Sequence, residues 1–355
     1  MIVDKVSLRD FRSYARLELE LEPGLVLVVG PNGAGKTNLL ESLHVGTQGF
    51  SPRTRNDASL IRFGREGARI ALHGDHAGSP VELNVVLQVG AAKRASLNGA
   101  RLQAAEQLRA EVATLVFTPD RLVVVKGGPA ARRAYFDRAL SRGTPTQAAL
   151  PAEYAAALAQ RNASLRGISL GYSTREALRP WTERVADLGA QLVAARRDVI
   201  AALEPLFAAR AGELGLSDAA LRYEAHPPSV ESLEARLDRD LDRGATGLGP
   251  HLDDVEILAG ERDLRTFGSQ GEQRLAVLAL LLAEAELVRE RRGVPPLLLL
   301  DDVLSELDPE RRRILAERLP AYGQALITTT SAAALPVEPN QLVEVEAGEA
   351  GTVLR

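Results

Sequence analysis

The chain has 355 residues, 45% of them hydrophobic and 25% charged, with a net charge of −4 and an isoelectric point near 5.9. This is the composition of a globular protein long enough for two domains, or for one large domain with an inserted lobe. Cysteine is absent, which excludes disulfides and Cys-ligated zinc or iron–sulfur centres. No apolar run reaches the 18 or so residues of a membrane span, and Met1-Ile2-Val3-Asp4-Lys5 lacks a signal peptide's n- and h-regions, so a cytoplasmic protein is expected.

Residues 1–29 alternate with the period of a strand, through Val6, Leu8 and Phe11, then Leu17, Leu19 and Leu21. Pro23-Gly24 turns the chain into the apolar strand Leu25–Val29. There follows Gly30-Pro31-Asn32-Gly33-Ala34-Gly35-Lys36-Thr37-Asn38. A GxxxxGKT segment between a buried strand and a helix start is the phosphate-binding loop: glycines permit the backbone N–H groups to wrap the phosphates, and the helix dipole favours the anion. Lys36 is expected to reach the β- and γ-phosphates of ATP, and Thr37 to ligate Mg²⁺.

Short strands are expected again at Arg69–His73, Val81–Val89 and Ala95–Leu97, with Asn98-Gly99 as a hairpin turn. His73 and His76 fall in a Gly/Asp segment and are expected as solvated surface in a loop rather than a metal pair. From about Pro129 to Arg243 the chain becomes Ala/Leu/Arg-rich. Leu178, Trp181, Val185, Leu188, Leu192, Ala195, Val199 and Leu206 form a heptad-like stripe that is expected to end near Pro205. Pro227-Pro228 and Gly244–Gly249 mark the exit, and strand signals resume at Val255–Leu258.

Arginine supplies most of the positive charge and binds phosphate in a bidentate fashion. The runs Arg132-Arg133, Arg289 with Arg291-Arg292, and Arg311-Arg312-Arg313 are the sequence candidates for a nucleic-acid face, although such runs are commonly solvated helix surface.

Near the end, Pro295-Pro296-Leu297-Leu298-Leu299-Leu300-Asp301-Asp302 is a buried strand closing on two carboxylates, a Walker B pattern. Asp301 is expected to hold Mg²⁺ beside Thr37, and Asp302 to act as general base or to orient the attacking water. Ser305-Glu306-Leu307-Asp308 resembles the D-loop of ABC-type ATPases. Upstream, Ser269-Gln270-Gly271-Glu272 at a helix start resembles the ABC signature, which binds the γ-phosphate of a second subunit. A plain Ser N-cap with a capping box fits the same residues. Phosphate loop, helical insertion, signature, Walker B and D-loop come in the ABC order. Thr328-Thr329-Thr330 stands where many ABC proteins have a switch histidine, leaving Thr329 or Thr330 to sense the γ-phosphate.

The whole chain resembles the RecF family of bacterial recombination-repair ATPases. The likeness is carried by Leu8–Tyr14, the phosphate loop, Leu60-Ile61-Arg62-Phe63-Gly64, Val125–Pro129 with Arg132-Arg133, Gly249-Pro250-His251-Leu252-Asp253-Asp254, and Leu299–Asp308. Leu252 stands where the family usually has arginine. The resemblance implies an α/β fold: an ABC-type P-loop ATPase core (lobe I, residues 1–128 and 246–355) with an inserted, mainly helical lobe II (residues 129–245). It implies a weak DNA-stimulated ATPase that dimerises with ATP on single- and double-stranded DNA and helps load the RecA recombinase at single-strand gaps. Partners implied are RecR and RecO, with no membrane. Arg12 and Tyr14 are expected near the nucleotide. A transport cassette, a chromosome-organising ATPase and a small-molecule kinase share the phosphate loop. The long helical insertion, the lack of hundreds of coiled-coil residues, and the signature with its D-loop count against each in turn.

Overall fold

The computed structural model describes residues 2–348 and 351–354. The chain divides into two compact units, Met1–Arg121 with Leu281–Arg355, and Leu122–Leu280. The first boundary lies close to the composition change at 128/129. The second lies well beyond 245/246, because the strand that follows pairs within the second unit.

The first unit is built on two sheets, with strands numbered in chain order. Five strands run parallel in the order β14 (Gln341–Gly348), β3 (Leu25–Val29), β13 (Ala325–Thr329), β12 (Leu297–Leu300) and β8 (Thr114–Phe117), and β15 (Gly351–Leu354) joins β14 antiparallel. The four leucines of β12 are fully buried, as expected of a parallel strand covered on both faces. The second sheet is antiparallel, in the order β2 (Tyr14–Glu20), β1 (Ile2–Phe11), β4 (Gly67–His76), β5 (Ser79–Gln88), β6 (Arg94–Leu97) and β7 (Ala100–Arg101). Asn98 and Gly99 both take positive φ, 49° and 79°, the two-residue turn that matches the twist of β6 and β7. His73 and His76 lie in strand β4, not in a loop. The expected loop is overturned because the pairing of β4 with β5 continues to His76↔Ser79.

Helix Lys36–Gln48 touches strands of both sheets and is buried on nearly every side. Its polar side chains are buried with the apolar ones, Glu41, Ser42, His44, Thr47 and Gln48 among them, so it does not read as a one-sided amphipathic helix. Gly46 is required here by close approach: a Cβ would sit 2.5 Å from Leu72 Cδ1.

The second unit pairs two long antiparallel-contacting helices, Leu150–Ser169 and Arg175–Glu213, with helix Pro129–Gly143 packed on the latter. The apolar stripe is buried at Leu178, Val185, Leu188, Leu192, Ala195 and Val199, but the helix does not end at Pro205. It continues through Leu203, Phe207 and Ala211, all buried, so packing outweighs the hydrogen bond and steric room that a helical proline forfeits. The unit is not purely helical. Strands β9 (Ala219–Glu224), β10 (Asp254–Ala259) and β11 (Arg262–Asp263) form an antiparallel sheet. Its interior also holds charge: Arg161 and Asp240 pair at 2.9 Å with both side chains almost wholly buried, and Thr182 and Thr246 accept further bonds from Arg161. No described helix is long and apolar enough to cross a membrane.

Candidate nucleotide site and signature segment

Strand β3 delivers the loop Gly30–Thr37, and helix Lys36–Gln48 leaves it. Gly33 and Gly35 have φ of 81° and 111°, a region that side chains avoid. At Gly35 space is also short, since a Cβ would lie 2.5 Å from Thr352 Oγ1 and 3.0 Å from Ser13 Oγ. Tyr14 donates its hydroxyl to Gly35 O at 3.2 Å, and burial pushes its phenol well above the ordinary range. Ser13, Asn38 and Thr352 are joined by hydroxyl and amide bonds of 2.7 and 2.9 Å. Thus the first hairpin and the last strand of the chain clamp the loop from outside the motif.

Lys36 is buried and donates to Gly30 O at 2.6 Å and Pro31 O at 2.9 Å. Burial lowers its pKa, while Asp302 and Asp301 oppose that shift. A loop that curls back on its lysine ammonium fits an anion of the size of a phosphate chain, with the amides and the ammonium converging on it.

The Walker B pair arrives from β12. Thr37 Oγ1 donates to Asp301 Oδ1 at 2.9 Å, joining residues 264 apart in the chain. Thr328, at the end of β13, donates to the same oxygen at 2.7 Å and accepts from the Asp302 N–H at 2.9 Å. Asp302 itself is left-handed, with φ of 50°, a conformation costing on the order of 1–3 kcal/mol in a non-glycine residue. Thr328 therefore restrains both carboxylate residues. Of the two threonines expected as sensors, Thr329 bonds locally with Ser331 and Thr330 is exposed. The sequence showed three equivalent threonines; only the strand geometry singles out the first.

Two hard oxygen donors, Thr37 Oγ1 and an Asp301 carboxylate oxygen, suit Mg²⁺, which takes few protein ligands and completes its shell with phosphate and water. Among the described residues no group of three His, Cys, Asp or Glu forms an all-protein metal cage. In the D-loop segment, Ser305 Oγ bonds Asp302 O at 2.8 Å, and Asp308 caps helix Pro309–Arg318 through Arg311 N. Arg12 lines a pocket with Ser13 and Asn38 beside the phosphate loop, where its guanidinium forks onto the buried Glu41 with two bonds of 2.9 Å and reaches Ser59 O.

The signature segment lies in the second unit. Ser269, Gln270 and Gly271 are exposed at the start of helix Gln270–Arg292. Ser269 N donates to Glu272 Oε2 at 2.8 Å, and Glu272 N donates to Ser269 Oγ at 3.2 Å, a reciprocal capping box. Arg262 bonds Glu272 at 2.8 Å. That bond, with those from Ser269, brings the carboxyl down to about 2. Gln273 is buried and ties the turn to Leu264 O. A Cβ at Gly271 would meet only Ser269 Oγ, in ordinary contact at 3.9 Å.

A glycine loop opening a helix, a carboxylate pair joined to it through Thr37, and a capped helix start resembling the signature all lie on one chain. The family described as RecF/RecN/SMC N terminal domain matches residues 2–353. The chain belongs to this family. It is 36% identical over 346 residues to the DNA replication and repair protein RecF of Heliobacterium modesticaldum, covering 93% of this chain and 92% of that one. It is 40% identical over 343 residues to RecF of Anaeromyxobacter dehalogenans, covering 91% and 90%. A solved structure of the recombination mediator protein RecF-ATP in the RecFOR pathway superposes with a TM-score of 0.88 at 27% identity, over 99% of this chain and 97% of that one. The Smc head bound to a ScpA domain, at 16% identity and a TM-score of 0.62, shares the fold. The RecF resemblance read from the motifs is therefore sound, and the fold is the ABC-type α/β ATPase core expected.

Proposed function

We propose that this protein is an ATP-dependent DNA clamp of recombinational repair and replication restart. The observation that carries the reading is the 2.9 Å bond between Thr37 and Asp301, which assembles half of an ATP site on a chain that also bears an exposed signature. The RecF relatives, one of them solved with ATP, support ATP as the nucleotide.

In this reading the loop amides and Lys36 hold the phosphate chain, and Gly30–Asn38 set its path. Thr37 and Asp301 hold Mg²⁺, which when bound neutralises charge on the β- and γ-phosphate oxygens. Asp302, fixed in its left-handed turn by Thr328, accepts a proton from the attacking water or orients it. Ser269, Gln270, Gly271 and the free N–H groups of their helix start form an anion site for the γ-phosphate of a second copy. Ser305 and Asp308 face the same junction. Two chains then close head to tail around two nucleotides, grip DNA and reopen on hydrolysis, which is weak and stimulated by DNA. Coupling to RecR and RecO, and help in loading RecA at single-strand gaps, follow from the family.

Sedimentation velocity with and without ATP·Mg²⁺ tests the dimer directly: a monomer that becomes a dimer only with nucleotide is expected, and an unchanged sedimentation coefficient refutes the clamp. Asp302→Asn should keep ATP and DNA binding, lose turnover by about 10²-fold or more, and prolong the DNA-bound dimer in gel shifts.

A further inference from the structure

The antiparallel sheet of the first unit has two faces of opposite character. One face buries Val6, Leu8, Leu17, Ile70, Leu72, Leu83 and Val85 toward the phosphate-loop helix, which touches β1, β4 and β5. The other face carries a single transverse line of residues in register. Arg16 on β2 stands opposite Arg9 on β1, Arg9 opposite Arg69 on β4, Arg69 opposite Val86 on β5, and Val86 opposite Arg94 on β6. All four arginines are exposed, and Val86 is half-buried. Four strand spacings make the line about 19 Å long.

Like charges placed directly across a ladder repel and destabilise the sheet, so such a row needs a reason. It is not neutralised from within. Arg69 bonds only the neutral Asn84 amide oxygen, and Arg9, Arg16 and Arg94 make no ion pair among the described residues. The neighbouring carboxylates are engaged with others: Glu18 with Lys5 and Ser7, Asp10 with Arg65, and Glu82 with the Asn84 amide. Two acids compete for the row: Glu66, which borders it without an ion pair, and Glu18, which feels the charge of Arg16 from its pairing with Lys5. Two open clefts of about 510 and 320 Å³ flank the line, and both are lined by Arg9 and Arg69. This concentration of cation occurs on a chain whose net charge is −4.

We infer that this row is a landing strip for the sugar–phosphate backbone of duplex DNA. The inference rests on the DNA-clamp reading above and gives it a surface. A guanidinium fork matches phosphate oxygens, and 19 Å spans about five or six phosphates of one strand. Of the rungs flanking the row, one carries Glu18, Ser7, Ala71, Asn84 and Ser96, and the other begins with Phe11 and Tyr14, whose rings are wholly buried, so these rungs expose no aromatic ring. Stacking on single-stranded bases relies on such rings, and protein interfaces are enriched in them, so a stiff, sequence-blind duplex backbone is the occupant that fits. The surface lies across the sheet from the phosphate-loop helix, which separates it from the nucleotide.

The test is fluorescence anisotropy of a labelled duplex with the full chain and ATP·Mg²⁺ over a sodium chloride series. The variant carries Arg9→Gln, Arg16→Gln, Arg69→Gln and Arg94→Gln. The control carries Arg179→Gln and Arg313→Gln, two exposed arginines already paired with glutamates. The row variant should bind at least 30-fold more weakly at low salt. Its slope of log affinity against log salt should be shallower by about three to four, close to one unit for each phosphate that the row no longer neutralises. The control should keep the parent slope. The row variant should also melt close to the parent temperature, because removing the repulsion offsets the lost exposed bonds of Arg69 to Asn84, and should bind ATP normally; a markedly lower melting temperature would make the row structural and overturn the inference. If single Arg9→Gln and Arg94→Gln variants each leave the slope unchanged, the inference falls. Retained duplex binding with lost binding of polyglutamate would assign the row to an acidic protein and overturn it equally. A parent protein that binds no duplex at all defeats the clamp reading itself, a result distinct from these.

Discussion

The phosphate-loop region and the signature region are built on opposite plans. Around the loop, apart from Lys36, which its own loop carbonyls hold, the groups are held by distant parts of the chain: Thr37 by Asp301, Asp301 and the Asp302 amide by Thr328, and Gly35 by Tyr14. At the signature the bonds are local, within the eleven residues from Arg262 to Glu272, and the segment presents exposed Ser269, Gln270 and Gly271. One region is a braced interior, rigid enough to pre-position reacting groups. The other is a finished helix cap whose remaining N–H groups face solvent. The contrast suggests that the first binds nucleotide by itself, whereas the second acts only on something brought to it.

Two substitutions should separate these roles. Lys36→Met removes the only ammonium within the loop, and ATP hydrolysis should fall by about 10²-fold or more with nucleotide affinity falling alongside; Lys36→Arg should be impaired too, since a planar fork fits this cavity poorly. Parent-like ATPase activity in both would end the nucleotide assignment. Ser269→Arg should do the reverse. It should bind ATP with near-parent affinity, because the loop is untouched, yet stay monomeric in sedimentation with ATP·Mg²⁺. Normal dimerisation of this variant would leave the capping box as the segment's whole purpose.

Legibility in the sequence followed the same divide between local and distant bonds. The strand–loop–helix course around Gly30–Thr37, the leucines of β12, the Asn98-Gly99 turn and the capping box from Ser269 to Glu272 are encoded by neighbours, and their local structure is as expected. What depends on pairing across hundreds of residues was not legible. Thr352 lies against Gly35, and no spacing rule links them. Thr328 looks identical to Thr329 and Thr330 until the end of β13 is set beside β12. Charge was misleading for the same reason. The runs that stand out in sequence are largely consumed internally: Arg132 by Asp254, Arg133 by Asp253 O, Arg289 by Ala321 O, Arg311 by Asp308, Arg312 by two backbone carbonyls and Arg313 by Glu310 and Glu317. The arginines that form a continuous face are scattered at positions 9, 16, 69 and 94 and meet only through strand register. Pro205, a strong local stop signal, was overridden by burial of Phe207 and Ala211.

A finer cut through the braced region is Thr328→Val, which keeps the shape and removes the hydroxyl. Asp302 N–H then loses its acceptor, a loss of roughly 1–3 kcal/mol for a buried donor, and the left-handed turn is no longer pinned. Turnover should drop by about ten- to a hundredfold while ATP affinity changes little. Thr328→Ser should recover most of the rate, because it restores the hydroxyl. Full activity in the valine variant would show that Thr328 fills space and positions nothing.

The smallest effect belongs to the signature cap, and its sign follows from Glu272. Bonds from Arg262 and Ser269 bring this carboxyl from 4.5 to about 2 in the folded chain. A depressed folded-state pKa stabilises the protein fully above the unfolded value and loses that contribution as pH falls through the folded one. The stabilisation should therefore be constant above about pH 5 and fade between 4.5 and 2. The partners are largely exposed, so the whole effect should stay within about 1 kcal/mol. Thermal melts of the parent and Glu272→Gln should differ by a small, constant interval at pH 8, 7 and 6, and converge as pH drops below 4.5. A gap that persists undiminished into acid would mean the carboxylate charge is not its source. The cap would then rest on shape alone, and the signature would share more of the braced region's plan than its bonds indicate.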